Sequence, residues 1–357
     1  MADLVSQLDA ALDLRLVAHF YQKLHGRSPT GIWQAPGALP LLSDDAGAVA
    51  TATEWGAIVA VEPRDGDTVE LRSLNRLAER ASVDAASYSP GSGVASNPDW
   101  SVEPLAVVWA FREFGYSLGG AAITVQTDLP RGCGPAVPVA AACATGLALR
   151  DLLTLDLPDT DLIDLVSVGL QAFSVPLAAP GLVAASLLLD GGEALACDGR
   201  SGSRDRLRLN LRDAGLRLLI VDTRVRRHLA EGDLVAMSRI GAGGPSLPGQ
   251  AAALLHTDDV RGLGPLLTAS HAALWQAGWS SPEQDLVVAA ALEAGALGAR
   301  MVVDDSGLPV IALVRIEQVG AVRSAIAHAF RRKGRPPPRS LSTTTATSTA
   351  RSARRVA

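Results

Sequence analysis

The chain has 357 residues, 48% of them hydrophobic and 19% charged, with a formal net charge of −5. That is enough apolar material for a sizeable core, in about two domains or lobes. No uncharged apolar run is long enough to span a membrane, and three cysteines without CxxC spacing (Cys133, Cys143 and Cys197) argue against a zinc site or disulfide framework and fit a reducing cytoplasm.

The charge is unevenly placed. Residues 331–357 hold eight Lys/Arg and no acid, which leaves 24 bases against 37 acids in the rest. An acidic body does not suggest a nucleic-acid surface, and no DNA-binding domain is expected. The basic tail has little to bury and is expected to be disordered, either solvated or in weak contact with a polyanion.

The opening segment "MADLVSQLDAALDLRL" is acidic and amphipathic, unlike a signal peptide. Residues 56–64 and 67–73 read as a β-hairpin about Asp65–Gly66, because Asp-Gly favours tight primed turns. Residues 87–99 read as a loop. Residues 103–115 have helical periodicity ending in glycine. Residues 121–129 read as a strand and 139–153 as a small-residue helix. Residues 215–225 form an apolar, strand-like run, and 238–250 a Gly/Pro/Ser-rich loop. Residues 285–303 read as a helix, a break and a strand start; 308–314 as a strand; 319–332 as a helix. Irregular alternation of this kind implies an α+β fold rather than a regular doubly wound sheet.

Between strand 121–129 and the next helix stands "DLPRGCGPAVPVAAACA". Strand, Gly-x-Gly and helix are the outline of a phosphate loop. Yet Pro135 and Pro138 remove backbone donors, and no hydroxyl or lysine is present. The histidines (His19, His25, His228, His256, His271, His328) form no zinc spacing. Arg224, Arg226, Arg227 and His228 form a basic cluster, either an anion contact or a solvated turn.

Several segments together resemble the galactokinase family of the GHMP sugar-kinase superfamily. They are "FYQKLHGRSPTGIWQAPG", "FREFGYSLGGAAITVQTDLP", "GLRLLIVDTRVRRHLAEGDL", "LGPLLTASHAAL" and "AALEAGALGARM". The resemblance implies a two-lobed α+β fold, with an N-terminal ribosomal-protein-S5-like lobe and a C-terminal ferredoxin-like lobe. It places the lobes at 1–205 and 206–330, the second shortened, with 331–357 as the tail. It implies ATP and Mg²⁺ as cofactors, galactose as substrate, and transfer of the γ-phosphoryl group to the anomeric hydroxyl. Such transfer needs phosphate-cradling N–H groups, oxygen ligands for Mg²⁺ and a carboxylate beside the attacking hydroxyl.

The family's motifs supply those groups, and this chain departs from each. In the first motif Ala38 stands at the Arg position, Asp44 and Asp45 at Glu and His, and Gly47 at the sugar-binding Asp. Asp44 and Asp45 remain candidate sugar ligands or a polar turn. In the second motif Gly132 and Gly134 persist, while Ala136, Val137 and Pro138 replace three serines and Ala142 the metal-binding Glu. The catalytic Asp position falls on Leu182, or on Gly181 in an alternative alignment. In the third motif only Gly307 persists, and Asp304 and Asp305 stand where phosphates would approach, as a solvated turn or a cation pair. The expectation is a cytoplasmic galactokinase-family protein with impaired or absent catalysis, possessing at most a sensor or partner role. The alternative is an active sugar kinase using atypical residues.

Overall fold

The computed structural model describes residues 2–91, 97–116, 119–128, 136–175, 179, 181–225, 231–240, 246–302, 309–345 and 352–355. Gly132, Gly134, Asp304, Asp305, Gly307, Arg226, Arg227 and His228 lie outside them.

The larger sheet is built on two long antiparallel strands, β1 (Gly31–Asp44) and β2 (Gly47–Arg64). Both are almost wholly buried, so neither shows the polar alternation of a half-exposed strand. Also in this sheet are β3 (Thr68–Ser73), β4 (Arg80–Asp84), β5 (Gly120–Thr127), β6 (Glu193–Asp198), β7 (Arg204–Arg208) and β12 (Ser352–Arg355). The order is β12-β1-β2-β5-β3-β4, with β6 on the first half of β2 and β7 beyond it.

The expected hairpin of 56–64 with 67–73 does not form. The chain reverses at Asp65–Gly66, but β5 lies between the two strands, antiparallel to β2 and parallel to β3. Glycine makes the insertion possible. A Cβ at Gly120 would lie 2.8 Å from the Thr68 carbonyl oxygen and 3.2 Å from that of Gly66.

Alternating residues serve opposite faces. Ile58, Ala60 and Ala122 pack with Leu14, Val17 and Tyr21 of α1 (Ala2–His25). Ala57, Val59, Val61 and Ile123 face α2 (Val102–Glu113), α3 (Ala136–Leu152), α4 (Asp159–Ala172) and α5 (Leu182–Leu188). Helix α3 reaches β1 closely because its inner face is alanine, and the Trp33 indole donates to Asp151 Oδ2 at 2.9 Å.

The second sheet has the order β11-β8-β10-β9: β8 (Leu216–Asp222), β9 (Gly298–Met301), β10 (Val310–Arg315) and β11 (Arg339–Thr343). One face carries α9 (Pro282–Glu293) and α10 (Val319–Arg332) through Val287, Val322, Ile326 and Phe330. The other carries α7 (Leu247–His256) and α8 (Leu263–Gln276). Helix α6 (Glu231–Ser238) precedes them. Leu39, Leu41 and Leu42 of β1 join this second core, so one strand borders both hydrophobic clusters.

The tail corrects another expectation. Part of 331–357 is ordered: Arg339–Thr343 pairs with β8 and Ser352–Arg355 with β1. Unpaired sheet edges offer backbone partners to a segment with little apolar surface of its own, and threonine suits the extended backbone.

Candidate functional site

Four segments meet at the middle of β1. The ladder with β2 shifts between Pro36 and Ala38, where Pro36 opposes Gly56 and Ala38 opposes Ala52. Three β2 residues, Thr53 to Trp55, bulge there against Gly37, which bends both strands. The first turn of α3 abuts the bend, so that a Cβ at Gly37 would lie 2.8 Å from that of Ala136. Helix α5 is fixed to the same place by the Ser186 hydroxyl, which donates to the Pro36 carbonyl at 2.7 Å. The strand β9 arrives from the second sheet. The Arg300 guanidinium donates through Nη1 to the Leu41 carbonyl at 2.8 Å and through Nε to that of Met301 at 3.0 Å. The Val302 N–H donates to the Pro309 carbonyl at 2.7 Å, bracketing 303–308.

Among the described residues, the side chains at the family positions that meet here are apolar. Ala38 and Leu182 are 0% and 1% exposed and belong to one hydrophobic cluster with Ala140 to Ala144 of α3. Ala136, Val137 and Val302 are buried in the adjoining cluster with Leu39, Leu41 and Leu42. The alternative alignment fares no better for a carboxylate. Gly181 has φ +81°, and a Cβ there would run into Cys197 Sγ. The Mg²⁺-ligand positions do not fit the ion, since Ala136, Val137, Pro138 and Ala142 offer no side-chain oxygen. Among the described residues no group of three or more His, Cys, Asp or Glu side chains is arranged to hold a metal.

Asp44 and Asp45 lie at the β1–β2 turn, six and seven residues beyond Ala38, past a second irregularity between Pro40 and Leu42. Asp44 Oδ1 accepts from the Ala46 and Gly47 N–H groups at 2.9 and 3.2 Å, and Oδ2 from the Leu247 N–H at 3.1 Å. The carboxylate therefore closes a tight turn and holds the first residue of α7. Asp45 is exposed.

A cavity of about 140 Å³ opens on the other flank of α3's first turn. Its lining includes Asn75, Arg76, Trp100, Glu103, Thr127 and Pro138. Asn75 is locked to β5, donating to the Thr127 carbonyl and accepting from its N–H, both at 2.8 Å. The Trp100 indole donates to Glu79 Oε2 at 2.9 Å, and Arg76 pairs with Glu79 Oε1 at 3.1 Å. Sequence reading missed this set because its members come from four separate segments.

Two buried groups border β9: Arg300, which sequence reading missed, and His271, which matches a family position read as structural. Arg300 is 1% exposed, and burial lowers its pKa to about 10. Its only sequence signal was a lone charge in "GALGARMVV". His271 takes the Met301 N–H on Nδ1 at 3.4 Å, with Nε2 at 3.3 Å from Asp285 Oδ1. Burial lowers its pKa, against the pull of Asp285 and with the push of Arg300. Cys143 and Cys197 are free and buried. Burial pushes the Cys143 thiol up to about 12, which makes it inert.

Over 372 residues the chain is 31% identical to a galactokinase of Streptomyces coelicolor, covering 90% of this chain and 94% of that one. The chain belongs to the galactokinase family. A galactokinase of Streptomyces lividans is also 31% identical, over 79% of this chain and 80% of its own. Residues 104–188 match the GHMP kinases N terminal domain. Among solved structures, Lactococcus lactis galactokinase complexed with galactose is similar at a TM-score of 0.79 and 18% identity, covering 96% of this chain and 100% of that one. Methanococcus jannaschii mevalonate kinase is similar at 0.66 and 14%, covering 88% and 98%. The galactokinase-family chain thus has the two-lobed GHMP fold, and no described helix is long and apolar enough to cross a membrane.

Proposed function

We propose that this galactokinase-family chain has lost phosphoryl transfer to galactose and acts, if at all, as a non-catalytic cytoplasmic sensor or partner. The observation that carries the reading is the burial of Ala38 and Leu182 in one apolar cluster. Phosphoryl transfer is positioning plus charge stabilisation. An alanine methyl cannot neutralise a phosphate, and a leucine cannot orient a hydroxyl. With no oxygen ligands in α3's first turn, no transfer step runs through Mg²⁺ there.

A retained ligand role is favoured by the cavity beside α3's first turn. It keeps polar groups where the lost phosphate loop leads in. At about 140 Å³ it takes one ring or one phosphate rather than a whole nucleotide, and in a sensor it would hold that part of a ligand without turnover.

The test combines two measurements on the full chain. A coupled assay for ADP release with galactose, ATP and Mg²⁺ is expected to read at background. Turnover near family rates would overturn the proposal in favour of a sugar kinase using atypical residues. Titration calorimetry with ATP–Mg²⁺ and galactose together separates sensor from bystander. Heat from nucleotide at millimolar concentration supports the sensor role; silence from both ligands removes it.

A further inference from the structure

The chain leaves α10, passes three prolines, and joins the second sheet as β11, where Arg339 opposes Asp222 and Thr343 opposes Leu218. It then crosses to the first sheet. Thr345 forms a bridge with Thr53 and accepts the Gly192 N–H on its hydroxyl at 2.9 Å. Between them, the Thr344 hydroxyl donates to Glu54 Oε1 and its N–H to Oε2 at 3.3 Å. The Glu54 N–H in turn lies 3.5 Å from the Thr343 hydroxyl. The same carboxylate faces Arg212 at 3.5 Å and Arg217 of β8 at 3.9 Å.

Glu54 is therefore a hub. It sits on the β2 bulge and gathers groups from β8, from the 209–215 turn region and from the chain's end. The bulge itself bears on the old site, since Thr53 Oγ1 is 3.2 Å from the Gly37 carbonyl, beside Ala38. What holds the crossing segment is polar. Thr343, Thr344 and Thr345 are buried, whereas the one leucine of β11, Leu341, is only partly so. Few buried apolar contacts mean low local stability, so a segment of this kind opens as a unit before the core does.

We infer that residues 339–345 are an intramolecular strap, clamped across both sheets by the Glu54 hub and released from both together. Its release removes one of the links between the sheets and frees the β2 bulge at Thr53–Trp55, while Leu39, Leu41 and Leu42 and the Arg300–Leu41 contact keep the lobes joined. The strap stands on its own hydrogen bonds and does not depend on whether the chain transfers phosphate.

Amide hydrogen exchange on the full-length chain tests it. Thr344→Val keeps the side-chain shape and removes the donor to Glu54. Expected is a rise of about ten-fold or more in exchange at the 340–344 amides and, by the same factor, at Gly192, while α3 amides stay at wild-type rates. Gly192 is the discriminating probe, because the substitution leaves the Thr345 hydroxyl in place. A rise confined to residue 344 and its neighbours, with Gly192 unchanged, overturns the strap. So does protection of 340–344 that grows with protein concentration, which would mean a second copy supplies the strand. If Thr344→Val does not yield folded protein, Arg212→Ala attacks the hub from its exposed side and must move the same amides together; failure to do so overturns the proposal equally.

Discussion

The first turn of α3 has two unlike flanks. On one, among the described residues, Ala38 and Leu182 are buried in one apolar cluster and Ala136 and Val302 in the cluster beside it. On the other, Asn75, Arg76, Glu103 and Thr127 surround a cavity of about 140 Å³. Both flanks share the first turn of α3, and the first also borders the second sheet through Val302. Packing needed small residues on the first flank, and small residues are what remain. If phosphoryl transfer is lost as proposed, apolar residues have replaced fixed charge here while the packing stays intact.

The largest way to break this contrast is Leu182→Asp, which returns a carboxylate to the family position. The new charge would have no partner in an apolar cluster. The expected outcome is a loss of about 3–5 kcal/mol in a denaturant titration and no galactose-dependent ADP release. A stable variant with turnover would show that the closed flank still holds an active-site shape. Next is Arg300→Ala, which deletes two charge-assisted hydrogen bonds and leaves a cavity between the lobes. Roughly 2–4 kcal/mol should be lost by the same titration.

Asp44→Ala comes third. If the carboxylate closes a turn and holds α7, stability falls by about 1–2 kcal/mol and any ligand affinity is unchanged. Loss of galactose affinity at unchanged stability would return Asp44 to the sugar-binding role expected from sequence. A pH series sharpens the contrast from outside both flanks. His25 and His271 are both lowered from the ordinary value of 6.5, chiefly by burial. A lowered pKa means the folded state prefers the neutral ring, so this stability is complete above pH 6.5 and is lost as pH falls through the folded values. The melting temperature should therefore drop on acidification from pH 7 towards 5.5, and less steeply in His25→Gln and His271→Gln. The smallest effect is that of Arg76→Ala, which removes an exposed ion pair and should change stability by under about 1 kcal/mol. Its value is in calorimetry, since weaker nucleotide binding in this variant alone would tie a ligand to the open flank.

Helices and central strands were legible where periodicity or apolar runs were clean, as in α2, β5, β8, β10 and α10. Helix α3 begins three residues before its expected start, since a proline in the first turn is tolerated. Helix α9 also starts three residues early, on a Ser281–Gln284 capping box with Pro282 at its first position. The Asp65–Gly66 hairpin was misread because turn chemistry is local, whereas the partner of each strand was decided by β5 arriving from a distant part of the chain. The tail was misread because composition reports what a segment can bury, not which sheet edges await it. Of the site, the motif positions Ala38 and Leu182 could be read from the sequence, and both lie in one buried apolar cluster. The cavity, Arg300 and the Glu54 hub could not, for each is assembled from residues that carry no motif alone.

The insertion of β5 also constrains how the molecule is made. β2 and β3 are neighbours in sequence and are joined by a turn that favours direct pairing. In the finished sheet β5 separates them, so they share side-chain contacts such as Arg64–Glu70 at 3.5 Å but no ladder, and Val69 pairs with Ala121, about 50 residues further on. Any β2–β3 hairpin formed early must open before β5 can enter, and loop closure across α2 must precede the reward. The insertion itself depends on the glycine-lined slot at Gly119 and Gly120, where a Cβ would lie 3.1 and 2.8 Å from backbone carbonyl oxygens. A side chain there would meet the Thr68 and Gly66 carbonyls and push β5 out of its place between β2 and β3.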